Sequence, residues 1–380
     1  MTVAQAACCR WTWSGTWAEP VSAAHVIVGL SGGVDSAVAA WRLQQQGFRV
    51  SGLFMVNWTE DEQAYCSAAE DFQSARAVAD ELGITLHRVD FSADYRERVF
   101  RQFLADYQAG LTPNPDLLCN REVKFQPFRD HALRLGADYV ATGHYARVEA
   151  TPHGPRLRRS VTEDKDQTYF LALVAREHFR QVLFPLGDLT KPEVRELARR
   201  AGLPNHRRRD STGICFIGER PFRDFLQQYL QPDPGDIVDD EGTVVGRHQG
   251  LMFYTLGQRR GLSIGGRRGA RQAPWYVVGK DRTGNRLRVS QDPDHRLLMS
   301  RQLLTRKFSW IEPPSDPSRP LLARIRHRQA LQSCRIEILH DGRVAVRFEQ
   351  PQRAASPGQY CVLYDDQTCL GGGEIDSADP

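Results

Sequence analysis

The 380-residue sequence contains eight cysteines, at 8, 9, 66, 119, 215, 334, 361 and 369, and no two of them form a C-x-x-C pair. That excludes a zinc ribbon, a thioredoxin-like redox pair and a metal cluster built on such pairs. Eight thiols in a chain this long are too few for a secreted disulfide scaffold, so a reducing cytosol is the expected setting. No apolar run approaches the roughly 20 residues that cross a bilayer. Net charge is small: 50 basic against 46 acidic side chains leave +4, so affinity for a polyanion must come from local clustering. With 41% hydrophobic and 25% charged residues, collagen, coiled coil and wholesale disorder are excluded. Residues 1–24 lack the basic start and apolar stretch of a signal peptide, and Glu19 argues against a transit peptide. They read as a poorly ordered extension.

Residues 25–145 alternate strand and helix signals. HVIVGL (25–30), 48–54, 84–89 and 139–142 read as strands. Helices are expected at 37–46, at 93–109 with Phe100, Phe103, Leu104 and Tyr107 on one face, and at about 123–135. Ser67 and Glu70 have capping-box spacing and open a further helix that Gly83 closes. The alternation predicts βαβ units and a parallel sheet covered on both faces. Residues 146–222 are less regular, although Thr190 and Glu193 mark another capped helix. From about 232, Gly and Pro punctuate short β-branched runs, and EPPSDPSRP (312–320) separates a final set of strand-like segments. The expected organisation is an extension at 1–24, a catalytic α/β domain at 25–222, a small central β-rich domain at 223–300 and a C-terminal β-barrel at 301–380.

GLSGGVDS spans Gly29, Leu30, Ser31, Gly32, Gly33, Val34, Asp35 and Ser36, between a strand and a helix. Glycines that let backbone approach an anion, N–H groups at a helix N-terminus and two hydroxyls make a phosphate site. It is neither a Walker A loop, having no Lys, nor a dinucleotide G-x-G-x-x-G. Cys119 in TPNPDLLCNREVKF and Cys215 in DSTGICFIGER sit in polar, Gly/Pro-marked loops, with Arg121, Lys124 and Arg220 as neighbours. Nearby cations favour the nucleophilic thiolate. Asp116 is either a general acid/base or a loop Asp capping the following backbone. No acid occurs between Gly242 and Lys280, where Arg247, Arg259, Arg260, Arg267, Arg268 and Arg271 also lie, or across 317–336 apart from what flanks it, where Arg319, Arg324, Arg326, Arg328 and Arg335 lie. Arg207–Arg209 form a third cluster. Such runs point to a phosphate-binding surface, on which His248, Phe253, Tyr254 and Trp275 are available to stack on bases.

SGGVDS resembles the signature of PP-loop enzymes, which split ATP into AMP and pyrophosphate. GLSGGVDS, FMVNW, TPNPDLLCN, GADYVATGHY, DKDQTYFL, DSTGICFIGER, HQGLMFYTLGQRRGL, PWYVVGKD and CLGGG together resemble the MnmA (TrmU) family of tRNA-specific 2-thiouridylases, in order from about 25 to 375. The resemblance implies a Rossmann-like (adenine nucleotide alpha hydrolase-like) first domain. It implies adenylation of the wobble uridine C2 oxygen in tRNAs for Lys, Glu and Gln, using ATP and Mg²⁺, followed by sulfur transfer from a persulfide. It makes Cys215 the persulfide carrier and Cys119 its partner, which either releases sulfide by forming a disulfide or resolves the intermediate. Gly29–Ser36, Met55 and Gly143 then hold the nucleotide. Asn114, Pro115 and Asp116 touch the target base, and His144, Lys165, Asp166, Gln167, Arg326, His327 and Gln359 touch tRNA. His327 replaces the Tyr usual there. The implied partners are the anticodon stem-loop and a persulfide sulfur-donor or carrier protein, in the cytoplasm, with no membrane and no bound metal cluster. Competing readings are another PP-loop ligase acting on a small metabolite, and a non-catalytic RNA-binding protein.

Overall fold

The computed structural model describes residues 24–58, 62–210, 222–265 and 273–379, with backbone alone for 62–67. Cys215, Arg267, Arg268, Arg271 and all but the last residue of the expected extension lie outside the described residues.

The first domain is built on five parallel strands. In chain order the strands are β1 (His25–Gly29), β2 (Arg49–Val56), β3 (Leu86–Asp90), β4 (Tyr139–Ala141), the hairpin β5 (Ala146–Thr151) and β6 (Gly154–Arg159), and β7 (Val182–Leu183). The sheet order is β3-β2-β1-β4-β7. Val26, Ile27 and Val28 of β1 are completely buried, as a central strand covered on both faces requires. One face packs against the helices Val34–Gln45 and Lys191–Arg200 through Val38, Ala39, Val194 and Ala198. The other packs against an aromatic layer of Phe100, Phe103, Phe125 and Phe128. The chain turns to β2 on one side of β1, and β4 lies on the other. The crevice beyond the carboxyl ends of β1 and β4 is therefore the switch point where ligands bind in such sheets.

Two expected boundaries shift. The helix expected to open at Ser67 begins at Glu62 and runs to Leu82, so the capping-box spacing there is incidental. The stretch 111–120, read as loop, contains the helix Pro115–Cys119. Asn114 caps it by accepting a bond from the Asp116 N–H at 3.2 Å, and Pro115 sits at its first position, where a missing N–H costs nothing. The helix continues as a wide π-turn, Asn120–Phe128, with Pro127 inside and Phe125 off helical dihedrals. Proline cannot donate to the preceding turn and crowds its carbonyl, which loosens the helix at that point.

The hairpin β5–β6, read as irregular, leaves the parallel sheet and joins the last strand of the chain through Arg158 and Thr368. The central domain is a four-stranded sheet of Tyr276–Asp281, Arg286–Ser290, Gly235–Val238 and Val244–His248 around Ile237, Val277, Leu287 and Val289. The C-terminal domain closes six antiparallel strands into a barrel, the strand Met299–Thr305 pairing with both Val344–Arg353 and Thr368–Asp379. Its core holds Leu303, Leu321, Val346, Cys361 and Leu363.

Candidate active site

The GLSGGVDS segment leaves β1 and enters the first helix at Val34. Leu30 and Val34 anchor it in the core at 1% and 4% exposure. Gly32 has φ +80°, and a Cβ there would collide with the Asp71 carbonyl oxygen, so only glycine fits. The Gly32 carbonyl accepts from Ser74 Oγ (2.8 Å), Asn205 Nδ2 (2.9 Å) and Arg208 (3.2 Å). Ser36 Oγ donates to the Gly33 carbonyl at 3.0 Å and accepts from the Ser31 N–H at 3.2 Å. The loop is thus held from behind, leaving a helix N-terminus beside small residues, an arrangement suited to phosphate. Arg208, grouped in the sequence with a surface cluster, is committed here: it also pairs with Asp71.

Asp35, in the first helical turn, is the centre of a polar network. Tyr145 donates its hydroxyl to Asp35 Oδ1 at 2.9 Å. Lys191 Nζ lies 2.7 and 2.9 Å from the two Asp35 oxygens and 2.8 Å from Asp210. Asp210 also pairs with Arg195 at 2.6 Å and Lys165 at 3.5 Å. Burial would raise the Asp210 carboxyl, but its bond to Lys191 and the surrounding cations outweigh that and hold it below the ordinary range. Sequence reasoning missed Lys191, Asp210 and Tyr145. Only the GHY stretch after β4 signalled Tyr145, and nothing local marks a lysine 156 residues away as a partner of Asp35.

Gly143, two residues past the end of β4, crosses the same turn: an added Cβ would stand 2.8 Å from the Ser36 nitrogen. His144 follows. Its Nδ1 lies 2.7 Å from Thr142 Oγ1, and its ring is near Phe125 and Phe184. Burial, reinforced by the charge of Lys124, pulls its imidazole down to about 3, so it is neutral at physiological pH. The same Lys124 acts on Asp116, whose carboxyl burial pushes upward against that charge. Asp116 and Cys119 are three residues apart on one short helix and share a face. Asp116 is half-buried and Cys119 is 3% exposed, inside the aromatic core. Gly143 thus abuts the phosphate loop, and Lys124 is near enough to act on both His144 beside it and Asp116, on whose helix Cys119 lies. Met55, partly buried, is the penultimate residue of neighbouring β2.

The remaining sequence-selected positions gather beside it. Gln167 accepts from the Tyr145 N–H at 2.9 Å. His327 Nε2 lies 3.0 Å from the Asp166 carbonyl, and its ring sits 4.4 Å from Phe170. Gln359 donates to the Thr112 carbonyl at 2.8 Å, docking the barrel on the approach to Asn114. Arg326 is exposed and donates to the Ala354 carbonyl at 2.7 Å. Asp166 is the exception as an outward contact. Its side chain is fully buried and accepts from Thr168 Oγ1 (2.8 Å) and the Ser160 N–H (3.1 Å), with Arg324 at 3.4 Å. Its side chain holds the barrel to the catalytic domain.

The basic runs divide similarly. Arg247, Arg259, Arg260, Arg319 and Arg328 are exposed. Arg324 is 1% exposed beneath Tyr364. Lys280 donates to the Gly110 carbonyl at 2.9 Å, and burial, with Arg282 nearby, lowers its ammonium to about 8. Both serve domain contacts. His248 and Tyr254, expected to stack on bases, are buried. His248 bonds the Asn285 carbonyl and the Gly250 N–H. Among the described residues no group of three or more His, Cys, Asp or Glu stands where it could hold a metal ion, and no helix is long and apolar enough to cross a membrane.

Three family models match the chain in order: the tRNA methyl transferase HUP domain at 24–219, the tRNA methyl transferase PRC-barrel domain at 223–291 and the aminomethyltransferase beta-barrel domain at 300–375. The chain is 55% identical over 355 residues to the tRNA-specific 2-thiouridylase MnmA of Alcanivorax borkumensis, covering 93% of this chain and 97% of that one. It is 54% identical over 354 residues to MnmA of Thiobacillus denitrificans, covering 92% and 99%. Among solved structures, it is similar to a 4-thiouridine synthetase–RNA complex with bound ATP (18% identity, TM-score 0.36, 54% of this chain and 50% of that one). It is also similar to the U34-tRNA thiolase NcsA from Methanococcus maripaludis (19%, 0.35, 54% and 63%).

Proposed function

The chain belongs to the MnmA family of tRNA-specific 2-thiouridylases and is a tRNA sulfurtransferase, and from that premise we propose how its residues divide the reaction. ATP binds with its phosphates on Gly29–Ser36, against Gly143, and with its adenosine toward Met55. The wobble uridine of the anticodon stem-loop leaves its stack, as bases must to reach a buried site, and enters between the phosphate loop and Asn114-Pro115-Asp116. Its C2 oxygen attacks the α-phosphorus, pyrophosphate departs, and the oxygen becomes part of an AMP ester. The terminal sulfur of a Cys215 persulfide attacks C2, and AMP leaves with the C–O bonding pair. Cys119 then attacks Cys215 Sγ, and the S–S bond breaks onto the uridine sulfur. The products are 2-thiouridine and a Cys119–Cys215 disulfide, transient in a reducing cytoplasm. Asp116, lifted toward neutrality by burial, is the acid/base for these proton movements.

Mg²⁺ enters with the nucleotide. It characteristically takes one or two carboxylates plus substrate phosphates, and the donors here fit: Asp35 is the one carboxylate of the loop, beside the Ser36 hydroxyl. When bound it neutralises charge on the phosphates. A persulfide donor or carrier protein loads Cys215. Lys165, Gln167, His144, Arg326, His327 and Gln359 line the tRNA approach, with Arg259 and Arg260 extending it electrostatically.

The reading is supported by the close approach of Gly143 to Asp35 and Ser36, and by the position of Lys124 near both His144 and Asp116, on the helix that carries Cys119. The test is nucleoside mass spectrometry on tRNA incubated with protein, MgATP and a persulfide donor, alongside AMP release. Wild type forms 2-thiouridine with AMP. Cys215→Ser forms AMP without 2-thiouridine. Thiolation by Cys215→Ser, or no AMP from wild type, overturns the reading.

A further inference from the structure

We infer that Lys191 is a phosphate-contacting catalytic residue of the ATP-cleavage step, held at the loop by two carboxylates until the nucleotide arrives. This rests on the phosphate loop being the ATP site.

Lys191 is the first residue of the helix Lys191–Arg200. Thr190 caps that helix in a full capping box with Glu193, and Pro192 lies in its first turn. The backbone carrying Lys191 is therefore fixed on a rigid element. Its side chain is 11% exposed and crosses to the first turn of the helix Val34–Gln45. All three ammonium protons have partners: the two Asp35 oxygens at 2.7 and 2.9 Å and Asp210 Oδ1 at 2.8 Å.

A carboxylate in the first turn of a phosphate-binding helix opposes the ligand unless it is neutralised, and before Mg²⁺ arrives with the nucleotide the neutralising cation on Asp35 is Lys191. Asp35 and Asp210 contribute −2 at this corner, and Lys191, Arg195 and Lys165 contribute +3, a net +1. Without Lys191 the sum is zero, and among the described residues Asp35 keeps the neutral Tyr145 hydroxyl. Asp210 does not depend on Lys191 in the same way, because Arg195 pairs with it at 2.6 Å. A phosphate oxygen entering the loop can therefore take the ammonium from Asp210 while Arg195 keeps that carboxylate paired. The side chain is a mobile point charge with rotatable donors, suited to such an exchange. The loop residues Gly29–Ser36 offer backbone N–H groups and hydroxyls and no cation of their own. The sequence thus draws its phosphate-neutralising charge from a helix 156 residues further on.

The test compares full-length wild type, Lys191→Met, Lys191→Arg, Asp35→Asn and the double variant Asp35→Asn/Lys191→Met, with MgATP, inorganic pyrophosphate and adenosine titrated calorimetrically. If Lys191 contacts phosphate, Lys191→Met weakens MgATP and pyrophosphate about tenfold or more, leaves adenosine binding within twofold, and Lys191→Arg recovers part of the loss. The double variant stays about tenfold weaker for MgATP than Asp35→Asn. If Lys191 serves only to neutralise Asp35, the double variant equals Asp35→Asn, and that result overturns the inference. So does an equal loss of adenosine and MgATP binding by both Lys191→Met and Lys191→Arg, the mark of a collapsed loop. A wild-type chain that binds adenosine but no MgATP removes the ATP reading of the loop itself, and the inference with it.

Discussion

Gly143→Ala adds a single methyl group where the end of β4 crosses the first helical turn of the phosphate loop. The new Cβ would stand 2.8 Å from the Ser36 nitrogen, 2.9 Å from the Asp35 carbonyl carbon and 3.1 Å from Asp35 Cβ. Comfortable contacts between such atoms begin near ~3.5 Å, so the two segments must separate by on the order of 1 Å. Neither side yields cheaply, because the obstructing atoms are mostly backbone. The helix is held through Asp35 by Tyr145 and Lys191, and the strand end through the Thr142 N–H on the Leu183 carbonyl at 3.3 Å. Overpacking of this kind costs about 1–3 kcal/mol of stability. A displacement of about 1 Å between reacting groups costs roughly 100-fold in rate. The expected variant is folded, with a melting temperature a few degrees lower, near-normal tRNA affinity, a raised KM for ATP and thiolation down by about two orders of magnitude. The assay is initial-rate 2-thiouridine formation over a range of ATP concentrations, with tRNA binding measured in parallel. Unchanged KM for ATP together with thiolation within twofold of wild type would show that Gly143 does not press on the nucleotide loop.

Other consequences are equally direct. Burial raises the Asp116 carboxyl above its ordinary 3.8, with Lys124 opposing, so the neutral acid is favoured on folding. That stabilisation is present at low pH and is lost as pH rises through the raised value. If Asp116 acts as the base, thiolation falls as pH drops through the same window. Asp116→Asn removes that acid limb and slows thiolation about 10²–10⁴-fold, whereas an unaltered profile rules the role out. Asp166→Ala leaves the buried Arg324 without its carboxylate, while Arg159 keeps Glu163, and is expected to cost about 3–5 kcal/mol in denaturant unfolding. Lys165→Ala should instead keep stability and weaken tRNA binding, and the reverse pattern would return Asp166 to the RNA surface. Substituting both Arg259 and Arg260 by Gln should lower the slope of log affinity against log salt by about 1–2. An unchanged slope would place the phosphate contacts elsewhere.

The parallel sheet, the phosphate loop and the barrel were legible because each rests on local rules. HVIVGL is continuous apolar sequence ending in glycines, and short β-branched runs between Gly and Pro make a closed β-structure. The stretch around Cys119 reads as loop because it is polar and Pro-marked, yet it holds the helix Pro115–Cys119. Asn114-Pro115 is in fact a helix start: a side-chain cap followed by proline where no N–H is required. The basic runs were half misleading for a different reason. Arg324, Arg208 and Lys280 look identical in sequence to Arg259 and Arg260, yet their partners are Asp166, Asp71 and the Gly110 carbonyl, each more than a hundred residues away. No local pattern announces such pairings, and the same long range hid Lys191 from Asp35.

Depth in the crevice orders the chemistry. Asp116 is half-buried at the start of its helix, and Cys119, one turn later, is 3% exposed among Leu117, Leu118 and Phe125. An adenylated uridine is open to attack by any nucleophile, and water is the most abundant one. A site that placed its sulfur chemistry at the surface would lose the intermediate to hydrolysis, regenerating uridine and wasting ATP. With Asp116 as the proposed acid/base, a half-buried carboxyl beside a thiol embedded in aromatic side chains would limit water's share of that competition. Cys119→Ser removes the nucleophile that, in the proposed sequence of steps, acts after AMP has left. It should raise AMP formation per 2-thiouridine made, because AMP leaves when the persulfide attacks C2 and the thiolated base then stays bonded to Cys215. An AMP-to-2-thiouridine ratio that stays at the wild-type value in Cys119→Ser would show that the Cys119 thiol has no part in freeing the thiolated base from Cys215.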